Sequence, residues 1–176
     1  MRKLLLFLAV LCMVACGSKT SKGGSTPDGG TTTNGGTTTK DDYVDLGLTS
    51  GTQWKSMNEM NPQDPENGFY TYDEAVATFG NKLPTKEQWM ELVNECTWTW
   101  TGMGYRVVGY NGKSIVLSAA GYRDCNRSVD FVGSRGYYWS STPNDSDYAW
   151  GLRFGSSEVY VNGYSRCYGQ SVRLVR

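Results

Sequence analysis

Tyr160-Val161-Asn162-Gly163-Tyr164-Ser165-Arg166-Cys167-Tyr168 is the stretch of this chain whose residue types best suit the recognition of another molecule. Tyrosine offers a large amphipathic surface at low rotamer cost, and Ser, Asn and Gly adapt their hydrogen bonding around it, a composition shared with antibody paratopes. Tyr160, Tyr164 and Tyr168 are the expected anchors, as rings exposed to solvent on a stiff framework, with Asn162, Ser165 and Arg166 around them. Arg123, Asp124, Asn126, Arg127 and Arg153, with Tyr148 and Trp150, are expected to border the same surface if the late strands pack side by side. Exposed loop and edge positions are the alternative for these residues. Catalysis is poorly supplied. With no His in the chain, the usual general base, the Ser-His or Cys-His pair and the commonest zinc ligand are missing. A hard cation needs about six to eight oxygens. The nearest cluster, Asn144-Asp145-Ser146-Asp147 after Pro143, reads as a solvated turn. The expectation is a binding protein and not an enzyme, with no metal and no cofactor.

The 17 basic and 17 acidic residues cancel, so the electrostatic footprint of a nucleic-acid binder is missing and no nucleic-acid partner is expected. At the N-terminus, Arg2 and Lys3 precede an apolar run over residues 4–14. That run is too short to span a bilayer and has the charged flank and apolar centre of an export signal. It closes on Met13-Val14-Ala15-Cys16-Gly17, which resembles a bacterial lipobox with Cys16 as the acylated residue. An ordinary secretory signal with an incidental Cys is the alternative. Acyl chains on Cys16 would partition into the membrane at about 0.8 kcal/mol per buried methylene. Residues 1–15 are therefore expected to be a lipoprotein signal peptide. Residues 16–42, a run of Ser, Thr, Gly and Lys including GGTTTNGGTTTK, are expected to be a flexible spacer that cannot offset the entropy of ordering. The expected location is the cell envelope, as an outer-membrane lipoprotein, with the facing side left open.

Residues 43–176 carry the elements that must position the site. Tyr43-Val44-Asp45-Leu46 and Thr52-Gln53-Trp54 read as a short hairpin. Ala75, Val76 and Phe79 form a helical stripe ending at Gly80. Thr85-Lys86-Glu87-Gln88 matches a capping box that opens a second helix, with Trp89, Leu92 and Val93 on one face up to Cys96. Strands are expected over residues 97–100, 105–108, 114–118, 137–141, 149–154, 158–161 and 171–175, with a type I′ turn at Asn111-Gly112. The spacing of Trp54, Trp89 and Trp139 places them in a core. The fold class expected is α+β, with two helices early and an antiparallel β meander late.

Four ordered blocks carry a family resemblance: Leu83-Pro84-Thr85-Lys86-Glu87-Gln88-Trp89, Ala119-Ala120-Gly121-Tyr122-Arg123, Gly136-Tyr137-Tyr138-Trp139-Ser140-Ser141-Thr142 and Gly169-Gln170-Ser171-Val172-Arg173-Leu174-Val175. They resemble the Fibrobacter succinogenes major paralogous domain, a family abundant in gut Bacteroidota lipoproteins. The resemblance implies a C-type-lectin-like fold whose C-terminal strands and loops present a ligand-binding surface. The segment from Tyr160 to Tyr168 also looks like the variable segment of a diversity-generating-retroelement target. There, randomised adenines in an AAC codon produce Tyr, Ser, Asp, Gly, Arg or Cys but never Lys, Glu, Gln, Met or Trp, and this segment contains none of the latter.

In an oxidising compartment Cys125 and Cys167 could bridge two loops of the binding face. Three cysteines remain after processing at Cys16, so one is left over, and Cys96, behind the second helix, is most simply a buried free thiol. Function is expected to be recognition of a protein or glycan by a module anchored to the membrane through Cys16. A structural or assembly subunit of a surface adhesin or fimbrial complex is the alternative.

Overall fold

The computed structural model describes residues 42–176, so the signal segment, Cys16 and the spacer lie outside the described residues. Two capping boxes start the two helices. In α1 (Tyr72–Phe79) the Thr71 hydroxyl accepts from Glu74 N at 3.4 Å, and Glu74 Oε2 accepts from Thr71 N at 2.8 Å. In α2 (Lys86–Glu95) Thr85 and Gln88 repeat the exchange at 3.2 and 2.8 Å. Each box satisfies N–H groups that a helix start leaves without partners. The apolar faces bury Tyr72 and Ala75 from α1, and Trp89 and Leu92 from α2.

The strands divide among four small antiparallel sheets. β1 (Tyr43–Asp45) pairs with β2 (Gln53–Lys55). β3 (Thr97–Trp100), β4 (Gly104–Val108) and β5 (Ser114–Ser118) form a second sheet. β6 (Tyr122–Arg123) pairs with β7 (Val129–Asp130). β8 (Gly136–Pro143), β9 (Tyr148–Gly155) and β10 (Glu158–Ser165) form the largest sheet, with β9 central.

This arrangement overturns the expected α+β, C-type-lectin-like fold with two helices early and one meander late. Among the described residues 41% are strand and 16% helix, which makes the domain mostly β. The helices are short and follow the first hairpin, and the late strands belong to separate sheets. The physical reason lies in the linkers. Stretches such as Ala119-Ala120-Gly121 and Gly133-Ser134-Arg135 turn the chain out of one sheet before the next begins, with Gly121 and Gly133 at positive φ. Two local expectations also change. Among the residues of the 109–113 loop only Gly112 has positive φ, so the turn is not type I′, which requires it at both central residues. Residues 171–175 make no ladder. They form isolated bridges to three regions, Ser171 to Tyr138, Val172 to Glu59 and Val175 to Trp54, because the C-terminal segment threads between sheets.

Trp54, Trp89 and Trp139 are fully buried. Trp54 and Trp89 rings lie 4.6 Å apart, Trp89 Nε1 donates to Trp139 O at 3.1 Å, and Trp139 Nε1 donates to Tyr70 O at 2.8 Å. Arg173, also buried, ties the C-terminal segment down. Its guanidinium donates to Asn58 Oδ1, Lys55 O, Ser56 O and Val116 O at 2.7–3.0 Å, and desolvation lowers its pKa from the usual value.

Candidate functional site

Strand register sets the site. Antiparallel partners share a face, so Tyr137, Arg153 and Tyr160 form one row across β8, β9 and β10, followed by Trp139, Gly151 and Asn162, then Ala149 and Tyr164. Gly151 is needed in the middle row: a Cβ there would meet Tyr138 O at 2.7 Å and crowd Gln170 Oε1 and the Tyr164 ring at 3.2 and 3.3 Å. With only hydrogen at that position, Tyr164 lies down across the sheet.

The result is an open hollow of about 320 Å³, walled by Tyr122, Tyr137, Tyr148, Tyr160, Tyr164 and Tyr168, with Arg153, Asn162 and Ser165 among them. Its floor is a chain of ring contacts. Tyr122 touches Tyr137 at 4.8 Å and Tyr168 at 4.9 Å between centroids, Tyr137 meets Tyr164 edge-on at 5.7 Å, and Phe131 stacks on the outer side of Tyr122 at 6.1 Å.

The three tyrosine anchors therefore do not all stand free in solvent. Tyr164 and Tyr168 pack against the core around Trp139. The Tyr164 hydroxyl is buried without a hydrogen-bond partner, and desolvation pushes its pKa up. Tyr160 is half-buried, its ring 5.0 Å from the Arg153 guanidinium, and Tyr148 stands at the rim 47% exposed. Tyr164 and Tyr168 are thus floor, and Tyr160 and Tyr148 wall. Arg153 is held by Glu158 at 2.9 Å and donates to Tyr137 Oη at 3.3 Å, so its charge is compensated inside the sheet.

Other expected residues lie elsewhere. Arg123, Asp124 and Arg127 line a separate polar hollow of about 500 Å³, together with Asp64, Glu74 and the Cys125–Cys167 disulfide. The Cα atoms of that disulfide are 5.3 Å apart. Arg123 pairs with Asp64 at 2.7 Å, and Asp124 Oδ1 accepts from Asn126 N and Ser128 N, organising its own loop. Asn126 is exposed on that loop and lines neither hollow. Arg166 turns toward α1, where it pairs with Asp73, donates to Ser146 O at 3.2 Å and lies 4.9 Å over the Tyr72 ring. The Asp73 hydrogen bond raises its pKa further. Trp150 faces the opposite side of the sheet, with Lys86 Nζ 3.5 Å over its ring. The Asn144-Asp145-Ser146-Asp147 cluster is a turn in which Asp145 Oδ1 accepts from Asp147 N and Tyr148 N at 2.8 Å. Among the described residues no group of three or more His, Cys, Asp or Glu could hold a metal ion.

Tyr122 and Tyr137 were not expected in the site, although they contribute much of its floor. The signal for Tyr137 was the alternation with Trp139 along β8. For Tyr122 the sequence carries no comparable signal, because it arrives from a different sheet.

A family described as a domain of unknown function (DUF8237) matches residues 106–175. That stretch spans β4 almost to the C-terminus and contains the whole tyrosine hollow. No curated protein matches the chain. No solved structure matches it either.

The hollow can do one kind of chemistry well. Aromatic faces accept an apolar ring or stem, while the Asn162 amide, the Ser165 hydroxyl and the tyrosine hydroxyls supply hydrogen bonds at its edges. Because Arg153 is already paired with Glu158, the hollow favours a neutral amphipathic group over an anion.

Proposed function

We propose that this protein is a non-catalytic recognition module, held in the cell envelope by a lipid on Cys16, that binds a neutral amphipathic group of a glycan or protein in the tyrosine hollow. The observation that supports it best is the convergence of six tyrosines from β6, β8, β9, β10 and the turn after it on one depression. A few aromatic anchors in such a site carry most of the affinity of a recognition surface.

The test is capture of the chain on glycan and surface-protein arrays, comparing the native protein with the double variant Tyr148→Ala/Tyr160→Ala. Capture is expected to be lost while the circular-dichroism spectrum and melting stay close to native. Unchanged capture by the double variant would remove the hollow from the function. The anchor is tested separately, by labelling with an alkyne fatty acid in the producing bacterium, which Cys16→Ser should abolish.

Diversification by a retroelement is part of the same reading. Five side chains of the 160–168 segment line one hollow, so changes there would alter specificity. A neighbouring reverse-transcriptase gene with a near-repeat differing at adenines is the check. The assembly role is a second reading, favoured by the bare edge of β10.

A further inference from the structure

The two outer strands of the main sheet are treated differently. The edge of β8 is occupied by the C-terminal segment: Trp139 N donates to Ser171 O at 3.1 Å and Ser171 N to Tyr137 O at 3.0 Å. β10 pairs with β9 alone, in continuous register over eight residues. Arg166 N bonds Asp147 O, and Gly163 N bonds its neighbour's Asn162 Oδ1, which shows that even-numbered residues face β9. The N–H and C=O groups of Val159 and Val161 therefore point outward, two residues apart, as the template for another strand. Common protections of such an edge, a Lys, a Pro or a bulge, are absent from β10.

Beside this edge runs an open groove of about 420 Å³ between β10 and α2, lined by Val159, Val161, Met90, Val93 and Trp150. Met90 is 44% exposed. At the Gly163 end of the groove lies Lys86, stacked on Trp150, the register partner of Gly163. It is the only charged residue in the groove lining, and none of the ion pairs among the described residues includes it.

We infer that this groove, which shares Tyr160 with the tyrosine hollow but none of its other lining residues, is a second binding site for an extended peptide that adds as a strand to β10. Its backbone bonds Val159 and Val161, its alternate apolar side chains enter the groove against Met90 and Val93, and a carboxylate at its end meets Lys86. Backbone pairing contributes affinity and the alternate pockets specificity, as in other strand-addition sites. The carboxylate is the complement of an ammonium that has an aromatic face beneath it and takes part in none of the ion pairs among the described residues.

The experiment uses the chain labelled with ¹⁵N and synthetic octapeptides with Val at alternate positions. One arm ends in a free carboxylate. A second is amidated with Asp as its last residue, which separates a terminal from a side-chain carboxylate, and a third is amidated without any acid. The amides of residues 159–163 are expected to shift with an acidic arm. Lys86→Glu should weaken that arm at least tenfold and Lys86→Arg should preserve it, while N-methylation of the peptide amides that pair with the edge should abolish binding. Tyr148→Ala, which removes a wall of the other hollow, should leave it unchanged. The proposal fails if no arm shifts these amides at millimolar peptide, or if N-methylation or Lys86→Glu has no effect. It also fails if sedimentation shows that a second copy of the chain already covers the edge.

Discussion

Two hollows share a border where Tyr122 adjoins Arg123 and Cys167 adjoins Tyr168, and they are built from opposite chemistry. The polar one is walled by groups already committed to each other: Arg123 to Asp64, Asp64 to Asn67 and Phe69 N, Asp124 to its own loop, Cys125 to Cys167. The tyrosine one is walled by rings that touch side by side but leave faces and most hydroxyls uncommitted. Charged side chains, which look like candidates for binding, are here largely spent on holding loops. The aromatic residues, which look like core, are what remains for a ligand.

Breaking the most fully spent charge should have the largest effect. Arg173→Ala removes a buried guanidinium and leaves the part-buried carbonyls of Lys55, Ser56 and Val116 without its N–H groups, and a loss of about 3 kcal/mol or more is expected in urea unfolding. Reducing the disulfide, which closes a 42-residue separation, should cost about 2–4 kcal/mol and loosen Tyr168 with it. Arg123→Ala leaves the Asp64 carboxylate, 9% exposed, without its cation, and about 1–3 kcal/mol should be lost. Ligand capture by the folded variant should persist, because Arg123 faces the other hollow. Tyr148→Ala should change stability by no more than about 0.5 kcal/mol while lowering capture. Near neutral pH the smallest effect comes from titration. Burial raises the pKa of Tyr122, and it raises the Cys96 thiol from 9.0 to about 11. Both are acids that the fold keeps neutral, so their contribution is intact below the unfolded pKa and is lost as pH rises through the folded one. The Cys96 part should show as a falling urea midpoint between pH 9.0 and about 11, absent in Cys96→Ala.

The helices were legible because their signals are local. Thr85 and Gln88 stand three residues apart and need nothing else to form a box, and Trp89 and Leu92 follow on one face. The segment from Tyr160 to Tyr168 was legible by composition, and six of its residues line the hollow. Arg166 and Trp150 were misplaced because one was read by type and the other by proximity, although the side each faces depends on Asp73 and on strand parity. The single late meander failed for a related reason. Alternation announces a strand, but the partner that strand selects depends on distant residues, as the three separate bridges of the C-terminal segment show.

By itself the sequence determined the absence of imidazole chemistry, the balance of charge, the two helices with the capping box of the second, and the tyrosine-rich character of the last strand, because each follows from residue type or from spacing within one turn or one strand. Only the tertiary structure decided that Tyr122 and Tyr137 join Tyr160, Tyr164 and Tyr168, that Arg123 and Arg166 are spent elsewhere, and that β8 is covered while β10 is bare. Those outcomes come from contacts between residues far apart in the chain. Such contacts form only when register and packing bring the segments together.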